Sequence, residues 1–226
     1  MESLINNLYL DKNVIASKLE DMRDNKPVSY VYLDDFITPD FYRLCLNDIQ
    51  QNNFQILSHD KTSNSQNKTV FIKWKNLLRL YDFFQSDIFE KYLSIFFWSE
   101  LKREFYIDKN QYNKIGIKDN GCIWQLYQKW DYYGWHIDGS DTWISLWAFT
   151  YYLSWYTSNQ KHDLFGWRLE LWTGKWGDIH TYETLDPLQN RLVLILYRQD
   201  SFHRVTEVTS DDMTRISLQA TLLKKD

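Results

Sequence analysis

His136 and Asp138 stand two residues apart in GWHIDGSDTW, residues 134–143. Side chains on an extended strand alternate between faces, so positions i and i+2 point the same way and these two groups converge on one point. An imidazole and a carboxylate so placed are two thirds of the two-histidine, one-carboxylate triad that holds non-haem Fe(II) and leaves positions open for substrate and oxygen. In a chain with 5 histidines and 30 acidic residues an H-x-D pair also arises by chance, and by itself it reads more readily as a solvated surface pair. A third donor is available in DSFHRVTEV, where His203 follows the apolar run RLVLILY. His59, His162 and His180 lie in polar stretches with no carboxylate at i+2 and read as solvated or locally hydrogen-bonded.

A further feature does not depend on a metal. TRISLQATLL alternates strictly: Ile216, Leu218, Ala220 and Leu222 share one face, Arg215, Ser217, Gln219 and Thr221 the other. On a solvated edge strand the polar face is simply wet, which is the plainer reading of the segment alone. In a barrel covered by helices it lines a pocket, and the planar guanidinium of Arg215 would suit a carboxylate there. Trp130, Trp135, Trp143 and Trp147 crowd the region of His136. They read first as packing, and otherwise as an aromatic entrance for an apolar or ring-bearing substrate.

These groups need strands to hold them. From residue 111 onward, CIWQLYQKW, WISLWAFTYYLSW, WRLELW, RLVLILY and TRISLQATLL are short runs rich in β-branched and aromatic residues, separated by polar loops. That texture predicts a sandwich, jelly roll or barrel. The first half is different. Residues 1–24 have the spacing of one or two short helices, PVSYVYLDDF reads as a strand, and Thr38-Pro39 predicts a helix over 39–51. SHDKTSNSQNK (58–68) reads as a loop or hairpin tip. Two more helices are expected at 76–85 and 87–104. The organisation is a helical N-terminal portion with the first strands (1–110) packed on a β core (111–226), one structural unit overall.

Composition narrows the classes. The net charge of −4, without a concentrated basic face, excludes free nucleic acid as an expected partner. The longest apolar runs are too short to cross a bilayer. Cys45 and Cys122 define no disulfide framework, and the N-terminus lacks the pattern of a signal peptide, so a cytoplasmic protein is expected. G-x-x-x-x-G-K-[ST], G-x-G-x-x-G and G-x-S-x-G are all missing from the sequence. Zn2+ would also accept two histidines and a carboxylate.

The order of these pieces resembles the Fe(II)/2-oxoglutarate-dependent dioxygenases, in particular the prolyl-4-hydroxylase-like branch. LYQKWDYYGWHID is similar to the family's Y-x-x-G-x-x-Y-x-x-H-x-D, FTYYLSW to its YLN-x-x-W strand, and FGWRLELW to its G-G-x-L-x-L turn and strand. PLQNRLVLILYRQDSFHRVTEV is similar to P-x-x-G-x-L-V-L-F…H-x-V-x-x-V, and LDDFITPDFYRLCLNDI to the strand–helix entry of such proteins. The likeness covers nearly the whole chain and is strongest over 122–223. It implies a double-stranded β-helix, a cupin-like jelly roll, packed by N-terminal helices in an α+β, mainly β chain. It implies Fe(II) on His136, Asp138 and His203, and 2-oxoglutarate with its distal carboxylate on Arg215. Tyr152 would donate to that carboxylate, and Tyr127 would line the co-substrate pocket. O2 is the second co-substrate, with ascorbate as a supporting reductant.

Tyr133, Trp135 and Trp143 are the candidate substrate contacts, for a small-molecule or peptide substrate. A carboxylate at position 138 points to hydroxylation rather than halogenation, while desaturation or ring chemistry stay open. The alternative is a non-catalytic jelly roll used for binding or scaffolding, with an incidental metal. The oligomeric state is not legible in the sequence. Three positions depart from the family pattern: Trp130, Trp167 and Asn190 stand where glycine is expected. The spacing from His203 to Arg215 is also a residue or two longer than usual, with the slack in TSDDMT.

Overall fold

Residues 4–25, 28–51, 53–101, 105–107, 122–136, 147–153, 155–156, 166, 168–173, 182–196, 201–210 and 213–224 are described by the computed structural model of the chain. The N-terminal part supplies the helices. A 3-10 turn at Asn7–Leu10 leads into α1 (Lys12–Asp24), where the Asp11 carboxylate accepts from the backbone N–H groups of Asn13 and Val14. α2 (Pro39–Gln50) opens on its proline, whose fixed φ suits a first turn, although Thr38 makes no side-chain cap. α3 (Lys75–Phe84) and α4 (Asp87–Leu101) follow close to their expected ranges. Among the described residues no helix is long and apolar enough to cross a membrane.

The strands are β1 (Ser29–Leu33), β2 (Gln55–Lys61), β3 (Ser65–Phe71), β4 (Phe105–Ile107), β5 (Ile123–Tyr127), β6 (Tyr132–His136), β7 (Trp147–Tyr152), β8 (Trp155–Tyr156), β9 (Leu169–Thr173), β10 (Glu183–Leu185), β11 (Arg191–Leu196), β12 (Ser201–Val205) and β13 (Met213–Lys224). They pair antiparallel in the order β1-β11-β7-β13-β5-β3-β6-β12-β9-β10, with β2 on β3 and both β4 and β8 on β13. From β5 onward the chain shuttles between two halves of this curled sheet. β5, β7, β11 and β13 fall on one side, and β6, β9, β10 and β12 on the other. This is the expected double-stranded β-helix with N-terminal helices.

Alternation along the strands builds two cores. Trp124, Leu126, Phe149, Tyr151, Leu192, Leu194, Ile216, Leu218 and Leu222 turn outward and bury against helix residues such as Leu77, Leu80, Phe84, Phe89 and Phe96. Facing the other way, Tyr152, Val193, Ile195, Leu169 and Leu171 pack between the two halves.

Two expectations are corrected. The polar stretch 58–68 is mostly strand: β2 and β3 form a hairpin whose tip spans only residues 62–64. It escapes a hydrophobicity reading because the buried side chains of β3 are themselves polar. Ser65, Asn67 and Thr69 are buried as β3 threads between β5 and β6. His59, expected in a loop, lies on β2 opposite Lys68. The polar face of β13 is not wet either. β13 is a central strand flanked by β5 and β7, so Arg215, Ser217 and Thr221 are buried inside the barrel.

Candidate active site

β5, β7 and β13 set their inward side chains in rows. Arg215 lies opposite Tyr127; Ser217 opposite Gln125 on one side and Tyr152 on the other. Gln219 lies opposite Ile123 and Thr150, and Thr221 opposite Ala148. The second half of the barrel closes over this wall with β6 and β12, where His136 and His203 are direct cross-strand partners. Their ring centroids are 4.0 Å apart. Both histidines, Arg215, Tyr127, Tyr133 and Gln219 line one cavity of about 160 Å3.

His203 is buried, and its pKa lies well below the ordinary histidine value because burial disfavours the cation and His136 stands beside it. A neutral imidazole is the form that offers a lone pair to a metal. His136 Nδ1 lies 2.7 Å from the Gly134 carbonyl oxygen. A carbonyl oxygen only accepts, so Nδ1 carries the proton and Nε2 keeps its lone pair. The Tyr133 ring lies 3.9 Å from the His136 ring, centroid to centroid, and walls it on one side.

Arg215 is almost wholly buried. Its guanidinium carbon sits 4.8 Å from the centroid of the Tyr127 ring and 4.9 Å from that of Tyr152, so two ring faces hold the planar cation. Arg215 Nη2 donates to the Tyr152 hydroxyl at 3.4 Å, which leaves that hydroxyl its own proton to donate. Tyr127 donates to Gln125 Oε1 at 2.8 Å. Burial raises the pKa of both phenols, against the lowering effect of Arg215, so both stay protonated at neutral pH. Ser217 Oγ is fully buried on the same face and has no hydrogen-bond partner among the described residues.

This donor set fits what the resemblance implies: two imidazoles for a ferrous ion, and on the same cavity the Arg215 cation for a carboxylate, with the protonated Tyr152 hydroxyl beside it. Among the described residues no three metal-binding side chains gather; the third predicted ligand, Asp138, lies outside them, as do Trp143 and Trp167. Trp135, a candidate substrate contact, is not on the cavity wall. It projects from the opposite face of β6, 6.3 Å from Trp172 and beneath the Arg204 guanidinium, in a groove with Asn64 and Tyr132. The pairing of β6 with β12 shifts register between Tyr133 and His136, so these two share the cavity while Trp135 between them lies outside it. Gln125 and Thr150 line the cavity without having been singled out from the sequence, while Gln219 belongs to the polar face already noted on TRISLQATLL. Gln125 carried a usable signal, lying two residues from Tyr127 on the same strand face.

Two of the glycine departures are explained by the backbone. Trp130 has φ +72° and Asn190 φ +57°, the left-handed region that favours glycine. Both residues keep the turn their positions demand, at a cost in strain.

Residues 122–221 match the family described as the 2OG-Fe(II) oxygenase superfamily. No curated protein matches the sequence. Among solved structures, a Pseudomonas putida prolyl-4-hydroxylase aligns with TM-score 0.61 at 13% identity, covering 94% of this chain and 100% of that one. A 2OG-Fe(II) oxygenase family oxidoreductase from Burkholderia pseudomallei aligns with TM-score 0.61 at 11% identity, covering 94% and 92%. A Trichoplax adhaerens prolyl hydroxylase, solved with a hypoxia inducible factor oxygen degradation domain peptide, gives 0.57 at 16%, covering 97% and 92%. At such identities the shared property is the fold. With that fold around it, the segment 122–221 is similar to the 2OG-Fe(II) oxygenase superfamily.

Proposed function

We propose that the chain is an Fe(II)- and 2-oxoglutarate-dependent oxygenase that hydroxylates an aliphatic C–H of an amino-acid, peptide or small-metabolite substrate, with release of succinate and CO2. The observation that carries this reading is the sharing of one cavity by the His136–His203 pair and the buried Arg215. His136 and His203, with Asp138 as the third ligand, would hold the metal. Bound iron supplies oxygen activation coupled to decarboxylation of the keto acid. Arg215 takes the distal carboxylate of 2-oxoglutarate, with Tyr152 and Ser217 as neutral donors beside it. Tyr127 packs against the guanidinium and is itself held by Gln125, which fixes the wall. The aromatic and aliphatic lining excludes water from the reacting centre.

Prolyl hydroxylases among the structural neighbours make a peptide substrate a natural first choice. Cys45 and Cys122 are buried and neither is in a disulfide, in agreement with a reducing cytoplasm. The test is succinate formation from 2-oxoglutarate with Fe(II) and ascorbate, together with mass spectrometry of a peptide and metabolite library for products one oxygen heavier. His136→Ala abolishes succinate formation if the assignment is right. Succinate release unchanged by that substitution would remove the site, and no turnover with any substrate favours the non-catalytic alternative.

A further inference from the structure

The hairpin tip that leads into β3 reaches across to β6 beside the metal-facing histidine. Gly134 N–H donates to the Asn64 carbonyl oxygen at 2.7 Å, and Asn64 Nδ2 donates to the Trp135 carbonyl oxygen at 3.2 Å. The two peptides that flank the Gly134–Trp135 peptide are thus both held by one residue. The carbonyl of the peptide between them, that of Gly134, accepts from His136 Nδ1 at 2.7 Å. The fit leaves no room for a side chain on β6: a Cβ at position 134 would lie 2.0 Å from Asn64 Oδ1 and 2.8 Å from the Asn64 carbonyl oxygen. Asn64 is itself held by its turn. Its N–H donates to Thr62 Oγ1 at 3.1 Å, and that hydroxyl pairs with Ser65 Oγ at 2.8 Å.

We propose that Asn64 is a positioning residue for His136. By bracketing the 134–135 peptide it aims the Gly134 carbonyl at Nδ1, holds the imidazole as the Nδ1–H tautomer, and keeps the Nε2 lone pair turned into the cavity. Partners of a ligand's second nitrogen orient it and raise its basicity; here that partner is a backbone carbonyl whose own direction is set by a residue far upstream in the chain. Asn64 is exposed and sits in the groove on the opposite face of β6 from His136. Its role is therefore separable from the cavity wall. The inference rests on the reading of His136 as a metal ligand only in its consequence for metal affinity.

The test uses the full chain in two states. In metal-free protein, long-range 1H–15N spectra of the imidazoles report the tautomer, with the His136 signals identified by their loss in His136→Ala. Wild type shows the Nδ1–H form. Asn64→Ala, and Asn64→Asp, which keeps the size but exchanges the amide donor for a carboxylate, show a mixture of tautomers. Their Co(II) affinity by titration falls about tenfold, the low end of the cost of disturbing a ligand's outer hydrogen bond. Ser63→Ala, in the same turn, leaves both readouts at wild type. The proposal is overturned if both Asn64 variants keep a single Nδ1–H tautomer and bind Co(II) as wild type does. If His136→Ala binds Co(II) as tightly as wild type, the ligand assignment fails, while the tautomer spectra still decide the role of Asn64.

Discussion

A guanidinium between two phenol faces has little rotational freedom left, and Arg215 is in that position, between Tyr127 and Tyr152. An ammonium on a flexible stem would neither stack as a plane nor present a fork. Arg215→Lys is therefore expected to raise the KM for 2-oxoglutarate about 30-fold, equivalent to about 2 kcal/mol, with the KM of the primary substrate unchanged. Steady-state kinetics with each substrate varied in turn checks this. Tyr152→Phe removes the hydroxyl that accepts from Arg215 and would donate to the co-substrate. The expected cost is about tenfold in the same KM, the worth of one hydrogen bond to a charged group. The side chains that carry these predictions were legible in the sequence, Arg215 through the strict alternation of TRISLQATLL and Tyr152 through the resemblance of FTYYLSW to the family's YLN-x-x-W strand. Whether that face is wet or enclosed was not legible. It depends on β13 having neighbours on both sides, and β5 and β7 lie far from it in sequence.

Turns carry the next layer of information. Asn190, buried with φ +57°, does more than tolerate a glycine's conformation. Its side chain accepts from the Ile37 N–H at 2.9 Å, donates to the Ile37 carbonyl oxygen at 2.8 Å and accepts from the Tyr151 hydroxyl at 2.9 Å. It ties the segment before α2 to the inner strands. Asn190→Ala loses three buried hydrogen bonds and keeps the strained φ, so it is expected to cost about 3 kcal/mol. That corresponds to a fall of roughly 10 °C in Tm by calorimetry. Trp130 is the opposite case. It is exposed, with φ +72° in the turn from β5 to β6, and the neighbouring Asp131 anchors that turn to Lys68 at 2.6 Å. Trp130→Gly relieves backbone strain and is expected to stabilise by about 1 kcal/mol, read as a higher Tm. The sequence marked both positions through missing glycines. It did not mark the β2–β3 hairpin, since a strand whose buried face is serine, asparagine and threonine has the composition of a loop.

At the scale of the molecule, buried phenols set the alkaline limit of stability. Burial pushes Tyr9 up to about 12 and also raises Tyr30, Tyr81, Tyr92, Tyr127 and Tyr151 above their ordinary value of 10.0. Above pH 10 the unfolded chain releases these protons while the folded chain keeps them, so stability that is complete below that pH is lost as pH rises toward the folded values. Tm is expected to fall steeply above about pH 10, with the tyrosinate absorbance of these six rings appearing only together with loss of structure. Full tyrosinate absorbance of all 16 tyrosines before unfolding would contradict the burial of these rings.

The threading of β3 between β5 and β6, and of β1 beside β11, has a consequence for biosynthesis. During translation the first half of the polypeptide emerges long before the segments it must pair with, and its aromatic surfaces have nothing to close upon until Met213–Lys224 clears the ribosome. Such delayed, long-range closure is slow and leaves sticky intermediates. Stalled nascent chains ending before Met213 should therefore remain fully protease-sensitive and recruit chaperones, whereas chains that carry Met213–Lys224 and have left the ribosome gain resistance in a single event.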